Sequence, residues 1–414
     1  MRAPVTDSDP QQPVEENASA PQAPTDTTPN AEAPSPEETG DQTGGNSAPN
    51  GDSTKSTESH KKGVGGLVSK HGPLVAACVL SLTAGFSVAY FIPNTSEPVV
   101  EIESEDYEWP HYVASIERRK EPIGPLVPFH DLDQDVVALG RKIFHDQAIS
   151  GTGRLACVSC HKINEGGDDG LPVAIGIDGK EGVYNTPSVL NAGLNYVQFW
   201  DGRARTLEQQ LDFTLDDPVH FNSSWDRVAT YMERSLPYSR AFQRHFGGKP
   251  TPARIRRALA SYMRSLITVD SKFDRWLAGD ENILSANELT GYYLFQKLNC
   301  VTCHQSDTVG GSMFQPLGKM KEYFADQREL TDADLGRYNV THRNEDRYVF
   351  RVPSLRTAEL TAPYFHDGSV EKLEKAVEIM MRYQVGIEDP NPDDIRRITL
   401  FLKTLTGTVP NQKK

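Results

Sequence analysis

Cysteine is scarce in this chain, with five in 414 residues. Positive charge is short as well: 43 Lys and Arg stand against 57 Asp and Glu, a formal net charge of −14. An acidic body of this kind argues against nucleic acid as a partner, because the phosphate backbone is read by Lys and Arg. Large apolar side chains are nearly missing from residues 1–60, which are rich in Pro, Ser, Thr and Gly and hold 11 acidic residues against Arg2 and Lys55. Such a segment cannot bury enough apolar surface to offset its ordering entropy, so a disordered tail is expected over 1–72.

Charge then disappears. Leu74 to Ile92 is a 19-residue run without one charged side chain, about the length that crosses a bilayer as a helix. Lys61, Lys62 and Lys70 precede it; Glu97, Glu101, Glu103, Glu105 and Asp106 follow. The positive-inside bias predicts an anchor at 73–93 with the tail in the cytoplasm and the rest of the chain outside. A cleaved signal peptide is the alternative, but no small-x-small site follows the run. Cys78 lies inside it.

The other four cysteines fall into two identical patterns, Cys157-Val158-Ser159-Cys160-His161 and Cys300-Val301-Thr302-Cys303-His304. Two thiols three positions apart, followed at once by an imidazole, is the attachment pattern of c-type haem. The spacing lets both thiols reach one porphyrin edge, and the histidine lies beneath the iron. A four-cysteine zinc site would use the thiols but leave His161 and His304 without a task. Two covalently held haems are therefore expected. Their attachment outside the bacterial cytoplasm agrees with export, and places the chain at the inner membrane, single-pass, with its haem domains in the periplasm.

The exported part repeats itself. Gly140 and Phe144 precede the first motif as Gly291 and Phe295 precede the second. Thr186-Pro187-Ser188-Val189-Leu190 and Phe199-Trp200-Asp201-Gly202 are echoed by Val352-Pro353-Ser354-Leu355 and Phe365-His366-Asp367-Gly368. Thr251-Pro252 and Asn391-Pro392 each open a closing helix, with apolar stripes Ile255, Leu259, Tyr262, Met263, Leu266 and Ile395, Ile398, Leu402, Leu405. Ser285 with Glu288 reads as a capping box. The expected fold is all-α with long loops: two cytochrome c-like domains, 110–275 and 280–414.

The repeat also shows what one half lacks. A sixth iron ligand is sought on the inward face of the helix after Glu371, where Leu373, Ala376, Val377 and Met380 share one side. A thioether there closes the second iron, with Met381 turned away as the weaker candidate. The matching residue of the first half is Thr214, a poor iron ligand. One haem is expected closed and the other open, the arrangement of a reductase acting on a small oxidant.

Gln-Phe-Trp-Asp-Gly-Arg-Ala (198–204), Phe-Arg-Val-Pro-Ser-Leu-Arg (350–356) and Thr-Ala-Pro-Tyr-Phe-His-Asp-Gly (361–368), with the two haem motifs, resemble the bacterial dihaem cytochrome c peroxidase family, which includes MauG-type enzymes. The resemblance runs from about Glu121 to Gly407. It implies that the His161 haem meets hydrogen peroxide, that the His304/Met380 haem passes electrons, and that Trp200 lies between them. It implies a possible calcium ion at Asn185, Thr361 and Pro363. It also implies a small cytochrome c or copper protein as electron donor, a partner that the acidic body suits if it is basic. A homodimer is expected. MauG-type enzymes carry a tyrosine in place of Met380.

Two departures stand out. Ile177 occupies the position of a distal histidine found sixteen residues after the proximal one in many members, and it cannot ligate. Gln210 matches the family's catalytic glutamine, but the glutamate's position holds His220. Histidine can move the same proton. His220 as acid–base, as a reversible iron ligand, or as a loop histidine without a role are the three readings. His366 is assigned a structural or haem-contacting role, and Arg203, Arg351 and Arg356 propionate pairing or interface hydrogen bonds. The expected activity is peroxide reduction. Its alternatives are a MauG-like oxidation of a protein side chain and a membrane-tethered electron carrier without peroxide turnover.

Overall fold

The computed structural model describes residues 121–326 and 329–409, all within one compact unit, Thr95–Lys414. The acidic tail, the apolar run 74–92 and Cys78 lie outside the described residues. Among the described residues no helix is long and apolar enough to cross a membrane.

Each half is built on one helix crossing. In the first, the Gln134–Phe144 helix starts at Asp133, whose carboxylate accepts the amides of Asp135 and Val136. Val136, Leu139, Gly140, Ile143 and Phe144 recur at helical spacing and are buried. They pack on the Pro252–Ser265 helix, opened by the Thr251 side chain and the proline at its first turn. In the second half the Ala286–Lys297 helix, with the Ser285–Glu288 capping box, packs on Pro392–Lys403, capped by Asn391. Both crossings depend on a glycine. A Cβ on Gly140 would stand 1.9 Å from the Ala258 carbonyl, and one on Gly291 would stand 1.9 Å from that of Arg397. Only glycine lets the backbones approach so closely.

Two apolar cores follow. Phe144, Met232, Phe242, Ile255 and Leu266 centre the first; Phe273, Tyr292, Phe295, Phe401 and Leu405 centre the second. The short Lys272–Leu277 helix, with its own Ser271–Asp274 capping box, packs into the second core. The all-α expectation needs one amendment: Phe314–Pro316 pairs antiparallel with Val349–Arg351, in the register Phe314–Arg351, Gln315–Phe350, Pro316–Val349. Val349 and Phe350 favour extended backbone, and the pairing satisfies polar groups beside a cavity.

Candidate active site

The first cysteine pair occupies a single helical turn, Cys157–Cys160, whose closing bond runs from the His161 amide to the Cys157 carbonyl at 3.0 Å. His161 Nδ1 lies 2.9 Å from the Gly167 carbonyl. Donation there leaves the Nε2 lone pair for a metal, and burial lowers the imidazole's pKa so that it is neutral. The second motif repeats the device. Cys300–Thr302 forms a tight turn, His304 Nδ1 lies 3.3 Å from the Val309 carbonyl, and burial lowers the His304 pKa to about 4. Burial also pushes the Cys157 and Cys300 thiols up to about 12 and Cys160 to about 11. Among the described residues the two cysteine pairs do not come together in one metal-holding cluster, which removes the zinc alternative.

A cavity of about 500 Å³ opens above the second motif. Cys300, Cys303 and His304 line it, as does Met380. Met381 lines it too, where the Leu373–Ile379 helix passes into a π-turn over Met380–Val385. Met381 is therefore not turned wholly away from the cavity, contrary to expectation. Met381 is held in the apolar core, whereas Met380 is only half-buried at the cavity wall.

Trp200, Asn185, Thr361 and Pro363 border the same cavity. The Trp200 ring donates from Nε1 to the Asn185 carbonyl at 3.0 Å, and the Trp200 carbonyl accepts the Arg351 amide at 2.8 Å. The tryptophan is thus tied to both halves of the chain. Phe199 and Phe365, preceding Trp200 and His366, both take left-handed backbone, with φ of 66° and 70°. The two loops are copies in conformation as well as in sequence.

The first half holds a different set at the corresponding positions. Gln210 projects from the Leu207–Asp216 helix, and its buried Oε1 has no hydrogen-bond partner. Thr214 spends its hydroxyl on the Gln210 carbonyl of its own helix, at 3.1 Å. Ile177 is buried, its amide bonded to the Val219 carbonyl at 2.9 Å. His220 lies close enough to His161 for its charge to help lower the His161 pKa, behind the larger effect of burial.

The di-haem cytochrome c peroxidase family model matches residues 134–282. Cytochrome c551 peroxidase of Nitrosomonas europaea is 41% identical over 302 residues, covering 72% of this chain and 88% of that protein. This chain belongs to the di-haem cytochrome c peroxidase family. Cytochrome c peroxidase Ccp of Escherichia coli is also 41% identical, over 70% of this chain and 62% of that protein. Among solved structures, a MauG-like protein associated with microbial copper homeostasis matches with a TM-score of 0.61 and 28% identity, over 69% of this chain and 93% of that one. Membership implies two c-type haems.

The residues present fit such a group. Arg203 is occupied by Asp201 at 2.8 Å and stacks on Phe199. Arg356 is fully buried against Asp274 at 2.8 Å. Arg351 has no carboxylate partner among the described residues: its Nε donates to the Phe199 carbonyl, and burial lowers its pKa to about 10. A buried, unpaired cation on the wall of the cavity suits a haem propionate. Sequence reasoning left the three arginines equivalent, because only tertiary pairing separates them. His366, the copy of Trp200, is stacked on Phe350 and bonded through Nε2 to Asp334 at 2.7 Å, both buried. Asp334, His366 and Asp367 form the one cluster of metal-ligating type among the described residues, though 2.7 Å is the length of a hydrogen bond. It was not anticipated, since Asp334 is remote in sequence.

Proposed function

We propose that this chain reduces hydrogen peroxide to water with electrons from a small redox protein. The observation that carries the reading is the difference between the two centres. His304 faces a cavity that also presents Met380, whereas the first half has Ile177 and Thr214, neither able to ligate iron, at the positions where a ligand is sought. Met380, where MauG-type enzymes carry tyrosine, favours peroxide turnover over oxidation of a protein side chain.

Cys157, Cys160 and His161 would hold one haem, and Cys300, Cys303, His304 and Met380 the other. When bound, the open haem iron supplies the site at which peroxide is reduced. His220 takes the proton from the nearer peroxide oxygen and returns it to the farther one, which leaves as water. Gln210, with its unpartnered carbonyl oxygen, orients the hydroxyl of the incoming peroxide. Trp200, bonded to Asn185 and Arg351, holds the two halves in fixed relation across the electron path. Two one-electron donors, cytochromes c or copper proteins, restore the enzyme. Each peroxide takes up two electrons and two protons and yields two waters.

The coarser surroundings belong to the same proposal. The repeat and the two cores support two domains near the expected 110–275 and 280–414, with Ile123 and the Lys272–Leu277 helix packed into the second core. The uncharged run 74–92 and its lysine flank support a single-pass anchor and periplasmic haem domains, with the 1–72 tail disordered. Asn185, Thr361 and Pro363 all border the one cavity, which is compatible with calcium there. Homodimerisation rests on the family resemblance alone. Rapid mixing of the reduced holoprotein with hydrogen peroxide tests the central reading. Stoichiometric oxidation, two donor electrons per peroxide, is expected; a protein whose spectrum ignores peroxide is an electron carrier and ends the proposal.

A further inference from the structure

A histidine in place of a glutamate can accept a proton only through the ring nitrogen that carries none. His220 Nδ1 lies 3.0 Å from Asp217 Oδ2. Asp217 is itself immobilised: it closes the Leu207–Asp216 helix, its Oδ1 accepts the amides of Val219 at 2.6 Å and His220 at 3.3 Å, and its carbonyl accepts that of Asn222 at 2.8 Å. The carboxylate cannot turn from the imidazole without breaking this turn. From the other side the 176–182 loop is docked on the same segment. A Cβ on Gly176 would stand 1.8 Å from the Val219 carbonyl. At Gly182 a Cβ would lie 3.6 Å from His220 Nε2. The two glycines let the loop pack against the histidine's segment without a side chain against Nε2.

We propose that Asp217 and His220 form a dyad in which the carboxylate holds the proton on Nδ1 and keeps the Nε2 lone pair for peroxide. Asp217 is then a positioning residue, acting through His220 as the aspartate of a Ser-His-Asp triad acts through its histidine. This rests on the reading of His220 as the acid–base. The dyad gains nothing over a turnover: Nε2 takes one proton from the near oxygen and returns it to the far oxygen as the O–O bond breaks, and both electrons come from the enzyme's reduced donors. Burial alone would raise the Asp217 pKa, but the Val219 amide and the His220 imidazole outweigh it and hold the carboxyl below the usual range. It is an acceptor at neutral pH.

Asp217→Asn separates the dyad from a merely structural turn. Asparagine still accepts the Val219 amide through Oδ1, but its amide nitrogen donates to Nδ1 and drives the imidazole proton onto Nε2. In the holoenzyme the rate of reaction with peroxide should fall roughly 10- to 100-fold, as for other residues that orient a functional histidine. The association rate of hydrogen cyanide, which must also lose a proton on binding, should fall in parallel, with the melting temperature unchanged. Asp217→Glu should restore part of both rates. Asp217→Asn combined with His220→Ala should be no slower than His220→Ala alone. If His220→Ala collapses both rates while Asp217→Asn leaves them near wild type, or if the two losses multiply, the dyad is wrong and the acid–base stands. If His220→Ala itself changes neither rate, the acid–base reading falls and the dyad with it.

Discussion

The two halves of the described chain are one scaffold used twice. A glycine at the centre of a helix crossing, a proline-opened closing helix and a left-handed phenylalanine recur at Gly140 and Gly291, Pro252 and Pro392, Phe199 and Phe365. What differs is the side chain presented to each haem position. The second half offers Met380 at the cavity wall; the first offers a threonine bonded to its own helix, a buried isoleucine and an Asp–His pair. On the proposed reading the shared scaffold holds two haems, and a handful of positions decides which stores electrons and which meets an oxidant.

Substitutions can break this contrast. The largest effect is expected from His220→Ala, which removes the proton-moving group from one half only. Turnover with peroxide should drop by about 10²- to 10⁴-fold, measured as donor oxidation at saturating peroxide, while electron uptake by the second haem is unchanged. Met380→Ala should make the halves alike: the second iron loses its sulfur ligand, so a cyanide titration should rise from one equivalent to two. Met381→Leu, a swap of similar volume in the core, should leave the count at one and cost less than about 1.5 kcal/mol in urea unfolding.

Gly140→Ala and Gly291→Ala sharpen the sameness instead of the difference. Each introduces a methyl against a backbone carbonyl, and each should destabilise the fold by roughly 1–3 kcal/mol in chemical denaturation. A large inequality between the two would show that the crossings are not equivalent.

A modest effect of opposite sign is expected at Asp168, a buried carboxyl in the loop behind His161 with Oδ2 unpartnered. Burial, foremost, raises its pKa to about 7. A carboxyl raised on folding favours the protonated folded form, so its presence weakens the fold progressively as pH climbs from its ordinary value near 3.8 to about 7. Asp168→Asn should therefore gain stability over the parent, on the order of 1–2 kcal/mol at pH 8 and less at pH 5. Melting curves at the two pH values check this.

Much of the scaffold was legible in the sequence because it is periodic. The stripes Ile255 to Leu266 and Ile395 to Leu405 and the Ser285 capping box are patterns of local spacing. Both stripes pack into the cores, with Ile395 only partly buried and Leu266 and Leu405 just past the ends of their helices, and the capping box forms. The paired strands were not legible, since three residues are too few to show alternation. The π-turn at Met380 was not either, because six residues of wider spacing leave no mark in the composition. The candidate site divided in the same way. Haem motifs carry their chemistry in sequence order, so Cys157 to His161 and Cys300 to His304 could be read directly. Arg351 and Asp334 acquire meaning only from what lies beside them in space. Asp217 is an intermediate case, three residues from His220 but outside any helix that would mark the spacing.

The most direct test of the asymmetry is an optical titration of the resting holoprotein with cyanide. One haem of the two should change its spectrum, at a single equivalent, while the other stays as it was. A protein in which neither haem responds has no vacant coordination position, and one in which both respond has no sulfur-capped centre; either result contradicts the account.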